Sequence, residues 1–419
     1  MKSDLEQTEI EAPYELPEGW KWCRLGDVAD WGSGGTPSRK NPEYYQGSIP
    51  WIKTGELNET YIFDSEEKVS EDAIKHSSAK IFPKETVVMA MYGATIGKTA
   101  IFGIDASTNQ ACACAICHKE LDNHFLFNFL KSKKDYFLYN AKGGAQPNIS
   151  QEIIKNTLIP LPPTLAEQQR IVNRIESMFA KLDEAKEKAQ NVVDGFETRK
   201  VAILHKAFTG ELTAKWRKEN GVCDDSWEEK TIGECGKWER GRSKHRPRNA
   251  PELFGGKYPF IQTGDIANAD IYIYEHKQTL SEFGFQQSRL FPKDTLCITI
   301  AANIGKVAIL TYDCCFPDSV VGFTPFENVD SKFMYYKIND MQKDLEAMAP
   351  ATAQKNLNLK LLTSVSVQIP TLPEQVEIVR ILDIIIEKET RAKEAAQTVL
   401  DQIALLKKSI LARAFRGEL

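Results

Sequence analysis

The stretch IPWIKTGEL at residues 49–57 returns 209 positions later as YPFIQTGDI at residues 258–266. Other segments recur in the same order at nearly the same spacing: FPKETVV (82–88) as FPKDTLC (291–297), IGK (96–98) as IGK (304–306), AQPNI (145–149) as AQKNL (353–357), and AFTGEL (207–212) as AFRGEL (414–419). Ordered matches with slips of only one or two residues indicate a tandem duplication. The period is far longer than the roughly 20–50 residues of a solenoid repeat, so each copy is predicted to be a large folded unit.

Each copy divides into two parts that differ in hydrophobic periodicity. The first parts, residues 14–162 and 221–369, mix short β-rich runs with Gly and Pro punctuation and a few helical stretches. This pattern predicts a compact mixed α/β (α+β) domain in each copy. The second parts, residues 163–215 and 370–419, are helical in pattern and follow proline-rich stops.

A seam of apolar residues runs through both helical parts in alternating steps of four and three. In the first copy it comprises Ile171, Ile175, Met178, Leu182, Ala185, Ala189, Val192, Phe196 and, past Arg199, Ile203. In the second copy it comprises Ile378, Leu382, Ile385, Ala392, Ala396, Val399, Ile403, Leu406 and Ile410, with an interruption at Glu389. A repeat of this kind predicts helices of about 40 residues, roughly 60 Å long, that supercoil around a partner. Two amphipathic helices, each packed on its own domain, are the alternative.

Two tandem copies whose seams face each other pair most simply as an antiparallel coiled coil. The predicted architecture is therefore two globular domains joined by two long helices, with an internal pseudo-twofold axis. A monomer with such symmetry suits a DNA site made of two separated parts.

Composition limits the classes of function. The 419 residues carry a formal net charge of −5, so binding to DNA must rest on local basic patches rather than on bulk charge. No run of about 18 apolar residues predicts a membrane span, and the charged N-terminus has no secretory pattern. Nine irregularly spaced cysteines indicate reduced thiols, which favours a cytoplasmic protein.

Four kinds of segment together resemble a known family. They are LPEGWKWCRLGDV at residues 16–28, IPWIKTGEL, YGATIGKTAI at residues 92–101, and the hexapeptides AFTGEL and AFRGEL that close the two copies. In combination, and over nearly the whole chain, they resemble the specificity subunit of type I restriction-modification systems.

The resemblance implies two target-recognition domains separated by helical spacer regions that form an antiparallel coiled coil. Each recognition domain would read one half of a split, asymmetric sequence in double-stranded DNA. The helices would set the unread gap and dock two modification (methyltransferase) subunits, which restriction subunits join. S-adenosylmethionine, ATP and Mg²⁺ would serve those partners, so the resemblance implies no cofactor and no catalytic residue in this chain. A coiled-coil scaffold that joins partners without reading DNA is the alternative, and a self-contained DNA enzyme is a third possibility.

Four segments suggest chemistry of their own. GATIGKT at residues 93–99 is one residue short of a phosphate-binding loop, and the second copy lacks its first glycine and its hydroxyl, so a turn between strands is predicted. The sequence CACAICH at residues 112–118 matches a haem-attachment or zinc pattern, but Cys112, Cys114 and Ile116 alternate as one apolar face of a core strand would. The adjacent Cys314 and Cys315 are expected to point to opposite faces of a strand. The acidic run at Glu66 and Glu67 is interpreted as solvated charge.

Candidate DNA contacts come from comparing the two copies. Residues common to both are expected to serve the framework or contact phosphates: Lys98 and Lys306, Thr54 and Thr263, Gln146 and Gln354, Asn148 and Asn356. Residues that differ are expected to read bases: Arg39, Lys40 and Lys53 in the first copy, and Arg240, Arg242, Lys244, Arg246, Arg248 and Gln262 in the second. The alternative for the Gln and Asn side chains common to both copies is that their amides stabilise loops. The alternative for the basic run at residues 240–248 is a solvated flexible loop. No metal-ligating set is predicted.

Overall fold

A computed structural model describes residues 12–144, 147–301, 303–349 and 357–419. The chain forms two compact units. Unit 1 contains the residues up to Gln190 together with Gln397–Leu419, and unit 2 contains Asn191–Ala396. The end of each helical part therefore belongs to the unit that holds the other copy's globular domain. Domain boundaries drawn from the repeat alone assign each helical part to a single copy and do not show that its end packs in the other unit.

In its described residues, the globular part of unit 1 contains eleven strands and five short α-helices. The strands are β1 (Lys21–Arg24), β2 (Ala29–Ser33), β3 (Ile49–Ile52), β4 (Tyr61–Ile62), β5 (Glu67–Val69), β6 (Ile81–Phe82), β7 (Val87–Ala90), β8 (Thr99–Phe102), β9 (Ala106–Thr108), β10 (Cys112–Cys117) and β11 (Leu158–Leu161). The helices are α1 (Leu25–Val28), α2 (Glu71–Lys75), α3 (Asn123–Ser132), α4 (Lys134–Asn140) and α5 (Gln151–Asn156).

The helical parts contain four helices. These are α6 (Leu165–Asp194), α7 (Phe196–Phe208), the short α8 (Ala214–Asn220), and α14 (Leu372–Ala414), which is numbered in chain order after the elements of unit 2. The globular part of unit 2 contains strands β12 (Glu228–Thr231), β13 (Gly236–Arg240), β14 (Phe254–Phe260), β15 (Tyr272–Ile273), β16 (Gln278–Leu280), β17 (Leu290–Phe291), β18 (Leu296–Thr299), β19 (Val307–Leu310), β20 (Cys314–Cys315), β21 (Val320–Pro325) and β22 (Ser366–Ile369). Its helices are α9 (Thr263–Asn268), α10 (Glu282–Gln286), α11 (Ser331–Asp340), α12 (Gln342–Met348) and α13 (Leu359–Thr363).

Both units build the same three sheets. The five-stranded sheet has the order β2-β10-β7-β8-β4 in unit 1 and β13-β21-β18-β19-β15 in unit 2. The four-stranded sheets run β5-β3-β9-β6 and β16-β14-β20-β17, and the two-stranded sheets pair β1 with β11 and β12 with β22. Every strand of one unit has its counterpart in the other, which confirms the predicted duplication and the mixed α/β class.

The five-stranded sheet forms the centre of each core because both of its faces are covered. In unit 1, Val87 and Met89 of β7 pack with Phe125 of α3, whereas the intervening Val88 packs with Ile52 and Phe82 of the four-stranded sheet. Neighbouring residues of a strand point to opposite faces, so a run of apolar residues suits a strand that is buried on both sides. The same layers recur in unit 2.

The cysteine-containing strands belong to these cores. Cys112 and Cys114 are fully buried in β10, although Ile116, which was predicted to share their face, is 39% exposed because it lies near the end of the strand. Cys314 and Cys315 lie in two different apolar clusters, which confirms that they point to opposite faces. Burial raises the pKa of the Cys114 thiol to about 12, so the group is held as an unreactive thiol.

The long helices are only partly as predicted. Helix α14 has 43 residues, but the helical part of the first copy is interrupted at Gly195, between α6 of 30 residues and α7 of 13 residues. A Cβ atom at Gly195 would clash with the guanidinium of Arg199. That guanidinium donates a hydrogen bond to the backbone carbonyl of Val192 over 2.9 Å, next to the interruption.

Each unit holds an antiparallel pair of helix segments. In unit 1, the Lys407 ammonium pairs with Asp183 at 2.6 Å, and Arg170 donates to the carbonyl of Leu419 over 2.8 Å. From the first contact to the second, the residue number falls along α6 and rises along the chain that ends α14, so the two segments run antiparallel. In unit 2, the two residues that interrupt the predicted seams pair with each other, because Arg199 lies 2.6 Å from Glu389.

The predicted seam is confirmed on α6 and α7, where Ile171, Ile175, Ala189 and Phe196 are buried. On α14 it is wrong at three positions, because Ala392 is exposed and Val399 and Leu406 are 39% and 46% exposed. Leu400 and Lys407 occupy the more buried row instead. A straight helix drifts by about 20° per heptad from a strict seven-residue repeat, so the buried row shifts by one residue over this length.

The two closing hexapeptides are core segments. In unit 1 the Phe415 ring lies edge-on to Phe125 and Phe129, with ring centres 5.1 and 5.2 Å apart. In unit 2 the Phe208 ring lies edge-on to Phe333 at 5.5 Å. The recurrence of these short motifs therefore reflects packing.

Candidate nucleic-acid interface

The first candidate site in unit 1 is a cluster of two loops, here called loop cluster 1, formed by Tyr92–Lys98 and the described part of 142–149. The amide of Gly93 donates to the carbonyl of Pro147 over 2.8 Å, and Asn148 and Lys142 exchange backbone hydrogen bonds of 2.8 Å. The cluster brings together two motifs that lie about fifty residues apart in the sequence. Lys98 lies in it, partly exposed and with no side-chain partner among the described residues.

The Gly-rich loop is a turn between strands, as predicted. Residues Gly93–Thr95 form one 3-10 turn between β7 and β8, and Gly93 and Gly97 have φ values of 65° and 78°, which favour glycine. A phosphate-binding loop leads from a strand into a helix and presents several backbone amides at its N-terminus. Here the loop leads into a second strand, so the geometry differs from that of a nucleotide site.

Unit 2 repeats the arrangement in loop cluster 2, which is formed by the described residues of 300–306 together with Leu357. The amide of Leu357 donates to the carbonyl of Ile300 over 2.8 Å, and Gly305 has a φ of 77°. The Lys306 ammonium lies 3.3 Å from the side-chain oxygen of Gln342. The predicted contacts Gln146, Gln354 and Asn356 lie outside the described residues.

The second candidate site in unit 1 is a charged edge of the four-stranded sheet. The Glu67 carboxylate receives hydrogen bonds from Arg39 and Lys53, and the Arg39 guanidinium lies 4.0 Å from the centre of the Tyr45 ring. The hydrogen bond from Arg39 is the main reason that the pKa of Glu67 is lowered to about 2. Glu67 keeps 29% of its side-chain surface exposed, and the fold pairs its charge with two cations. Lys40, exposed beside Arg39, has no side-chain partner among the described residues.

In unit 2 the equivalent edge carries amides in place of charges. Gln262 stands where Lys53 does, and its amide donates over 2.7 Å to Gln278, the counterpart of Glu67. An amide offers both a donor and an acceptor, whereas an ammonium offers donors alone. The two units therefore present the same pair of positions with different hydrogen-bonding patterns.

The shared Thr-Gly-acid motif caps a helical turn. The Glu56 carboxylate accepts from the amide of Lys53 over 2.9 Å, and Asp265 accepts from the amide of Gln262 over 2.8 Å. These carboxylates satisfy amides that the start of a helix leaves unpaired. Thr54 and Thr263 begin the capped turns and are partly exposed, so the motif fixes the backbone beside the variable pair.

The basic run at residues 240–248 is partly tied to the protein. Arg240 donates to the carbonyl of Asp318, and Arg248 pairs with the Asp318 carboxylate at 2.8 Å. Arg246 donates to the carbonyls of its own loop over 2.8 Å. Arg242 and Lys244 have no side-chain partner among the described residues. Three of the five cations are therefore oriented by the protein.

A turn that sequence comparison overlooked joins the two candidate sites of unit 1. The amide of Asn109 donates to the carbonyl of Ile52, next to Lys53, and the carbonyl of Ala111 accepts from Met91, next to loop cluster 1. The exposed Gln110 between them receives a hydrogen bond from Thr36. Its counterpart in unit 2 is Asp318. A residue-by-residue comparison at the local offset of 208 would have found this difference.

Within the described residues, no group of three or more His, Cys, Asp or Glu side chains could hold a metal ion. A search of the same residues for a helix long and apolar enough to cross a membrane finds none.

Comparison with known proteins gives consistent matches. A family model described as the type I restriction modification DNA specificity domain matches residues 17–193 and again residues 224–400. The chain is 30% identical over 162 residues to the type I restriction enzyme EcoR124I/EcoR124II specificity subunit of Escherichia coli, over 37% of this chain and 40% of that protein. It is 23% identical to the EcoKI specificity subunit of Escherichia coli strain K12, over 97% of this chain and 90% of that one.

The chain spans less than two thirds of some curated relatives that it matches, 40% of the EcoR124I/EcoR124II subunit and 60% of the MjaIX specificity subunit of Methanocaldococcus jannaschii. The fold is similar to that of the HsdS subunit from Thermoanaerobacter tengcongensis. That match has a TM-score of 0.70 at 21% identity and covers 98% of this chain and all of that one.

Proposed function

Because this chain belongs to the family of the type I restriction modification DNA specificity domain, which it carries twice, we propose that it is the DNA-sequence-recognition subunit of a type I restriction-modification complex. Each unit reads one half of a bipartite, asymmetric target in double-stranded DNA. The subunit itself is not catalytic. Methyltransferase subunits supply the chemistry and bind S-adenosylmethionine, while restriction subunits use ATP and Mg²⁺.

One observation carries the proposal. The same sheets and loops are built twice, yet the equivalent pairs Lys53–Glu67 and Gln262–Gln278 differ in charge and in hydrogen-bonding pattern. A scaffold that only joined partners would gain nothing from this variation on a fixed frame. A protein that reads two different half-sites requires it, because each base pair presents its own donors and acceptors in the major groove.

The two classes of candidate residue take different roles. Lys98 and Lys306 occupy equivalent turns in the two units and contact phosphates, which fixes the position of the DNA. Base readout falls to the variable edges, with Arg39, Lys40 and Lys53 in unit 1 and the run from Arg240 to Arg248 with Gln262 in unit 2. The aromatic and carboxylate partners of Arg39 limit its rotamers, so its remaining donors are held in a defined direction.

The methyltransferase subunits dock in two copies on the long helices. On α14, Val376, Leu405 and Leu406 are 52%, 66% and 46% exposed. These exposed apolar side chains, one near the start and two near the end of α14, offer surface that a bound subunit would bury.

Methylation-site mapping tests the proposal. The chain is expressed with its neighbouring methyltransferase in a host that lacks this modification, and modified adenines are located by sequencing. A split motif with a fixed unread gap is expected. Replacing residues 221–369 with the corresponding domain of a relative should change one half of the motif only. If a complex that assembles and binds cofactor leaves the DNA unmodified, the recognition role is refuted and the scaffold alternative is favoured.

A further inference from the structure

A histidine lies at the joint between the globular domain of unit 1 and the long helix α6. His124 is the second residue of α3, and its side chain is 30% exposed. Its Nε2 atom lies 2.8 Å from the hydroxyl oxygen of Tyr61 on β4, and its Nδ1 atom lies 3.4 Å from the carboxylate of Glu176 on α6. The ring therefore connects the edge strand of the five-stranded sheet with the long helix.

The contacts of this ring require a hydrogen on each of its two nitrogen atoms. The Tyr61 hydroxyl also donates to the Glu85 carboxylate over 3.0 Å, and burial together with this hydrogen bond raises the pKa of Tyr61 to about 12. The hydroxyl therefore keeps its one hydrogen and directs it at Glu85, so Nε2 must donate to the hydroxyl oxygen. Nδ1 faces a carboxylate, which only accepts. An imidazolium supplies both hydrogens, whereas a neutral imidazole supplies one.

Loss of the ring proton leaves too few hydrogens for these contacts. The path from Glu176 through the ring and Tyr61 to Glu85 contains three contacts and needs three hydrogens. The neutral ring and the hydroxyl together supply two, so one contact must open. The contact with Glu176 is the longest of the three and also loses its charge attraction, so it is the one expected to open.

The other charged groups near the ring are engaged elsewhere. They come from the chain before β4, from α3, from α6 and from the end of α14: Glu59 pairs with Lys131 at 3.3 Å, Asp183 pairs with Lys407 at 2.6 Å, and Asp122 accepts from the amide of Phe125. Glu85 also accepts from the side-chain amide of Asn123. In the described part of the chain, Glu176 has no ion-pair partner other than His124. No lysine or arginine of that part therefore replaces the ring when it is neutral.

Unit 2 builds the same joint with a permanent charge. Lys332 on α11 takes the place of His124, and Asp383 on α14 takes the place of Glu176. The ammonium lies 2.7 Å from the carboxylate, which also accepts from the Tyr336 hydroxyl over 2.6 Å. A lysine stays charged throughout the range of about pH 5–8 in which histidine side chains change charge. The internal repeat thus contains a copy of the joint without a histidine.

We propose that His124 is a positioning residue whose protonation fastens the globular domain of unit 1 to α6, and that the joint of unit 2 lacks this pH dependence. The contacts are complete when the ring is charged, so they stabilise the joint at about pH 6 and are lost as the pH rises towards about 8. One globular domain therefore changes its attachment with pH while the other keeps it. This device is independent of what the globular domains bind, so it goes beyond the proposed function.

Hydrogen exchange of the full chain tests the device, with peptide mass spectrometry between about pH 6 and 8 and rates corrected for the intrinsic effect of pH. In the wild type, protection of the α6 peptides around Glu176 is expected to fall about two- to fivefold over this range, the change for loss of one exposed ion pair. The α14 peptides around Asp383, measured in the same sample, are the internal control and should keep their protection. An equal fall in both sets of peptides, or no fall in either, would overturn the proposal.

Exchanging the residues at the two equivalent positions assigns the effect to the histidine. His124→Lys should keep the protection of the α6 peptides and remove its pH dependence, and Lys332→His should create a pH dependence around Asp383. Glu176→Gln keeps the ring but removes the charged acceptor, so its protection should stay near the wild-type level of pH 8 at every pH. Circular dichroism spectra that match the wild type establish that the variants fold. A pH dependence that persists in His124→Lys would assign it to another group and refute the role of His124.

Discussion

Truncating Phe415 to alanine tests whether the closing hexapeptide is part of the core of unit 1. The side chain is 3% exposed, and its ring lies edge-on to two other rings. A buried Phe→Ala substitution costs about 3–5 kcal/mol. Two edge-to-face pairs, each contributing about 0.5–1.5 kcal/mol beyond buried area, place Phe415 in the upper part of this range. For a unit of this size about 2–4 °C of melting temperature is lost per kcal/mol, so a fall of roughly 8–20 °C is expected.

The measurement is differential scanning calorimetry of the full chain, supported by chemical denaturation. Phe208→Ala is the matched variant in unit 2, where the ring is 8% exposed and has one edge-to-face partner, so its loss should be smaller. Leu406→Ala is the surface control, because this side chain is 46% exposed and its truncation should cost no more than about 0.5 kcal/mol. A Phe415→Ala variant as stable as Leu406→Ala would refute the packing of the hexapeptide onto unit 1.

Four further outcomes follow from the candidate site and the core. Lys98→Ala should weaken DNA binding about equally for all sequences and reduce the slope of log K against log salt by about 0.9, the value for one phosphate contact, measured by fluorescence anisotropy across a salt series; an unchanged slope would remove Lys98 from the phosphate contacts. Exchanging the Lys53–Glu67 pair for two glutamines should alter one half of the methylated motif only, since one base contact is worth about 1–3 kcal/mol; an unaltered motif would exclude this pair from readout. Because the pKa of Glu67 is lowered from 4.5 to about 2, its stabilising effect is present above pH 4.5 and is lost as the pH falls towards 2. The difference in unfolding free energy between wild type and Glu67→Gln should therefore be constant between pH 5 and 7 and vanish near pH 2, and a constant difference down to pH 2 would contradict the pairing. The buried Cys114, whose pKa is raised to about 12, should resist iodoacetamide under conditions that alkylate the exposed Cys223, as followed by peptide mass spectrometry; equal rates would contradict its burial.

Much of the architecture was predictable because short motifs and hydrophobic periodicity indicate it. Ordered recurrence of short motifs such as IPWIKTGEL identified the two copies, and the structure repeats every strand in both units. Alternation along Cys112–Cys117 indicated a core strand. The second copy matches the phosphate-loop pattern of GATIGKT poorly, and this predicted a turn rather than a strand-to-helix loop. Periodicity also located the long helices, although it placed Val399 and Leu406 in the wrong row. A repeat of three and four residues reports an average turn angle, and small errors accumulate along a helix of this length.

The candidate site was less accessible from the sequence. Arg39, Lys53 and the run at 240–248 were identifiable as basic residues that differ between the copies. Their orientation was not, because Glu67, Tyr45 and Asp318 reach them only through tertiary packing. Charge type and spacing cannot tell a solvated carboxylate from one placed beneath two cations.

The sequence by itself determined that there are two copies and that each is a mixed α/β domain followed by a helical part. The type of each element depends on neighbours a few residues apart, and the duplication is visible in the ordered recurrence of short motifs. Only the tertiary structure decided that AFRGEL packs in the unit of the first globular domain and that Arg199 meets Glu389. Each of these pairings joins segments that lie far apart in the chain, and their choice of partner depends on the packing of the whole unit.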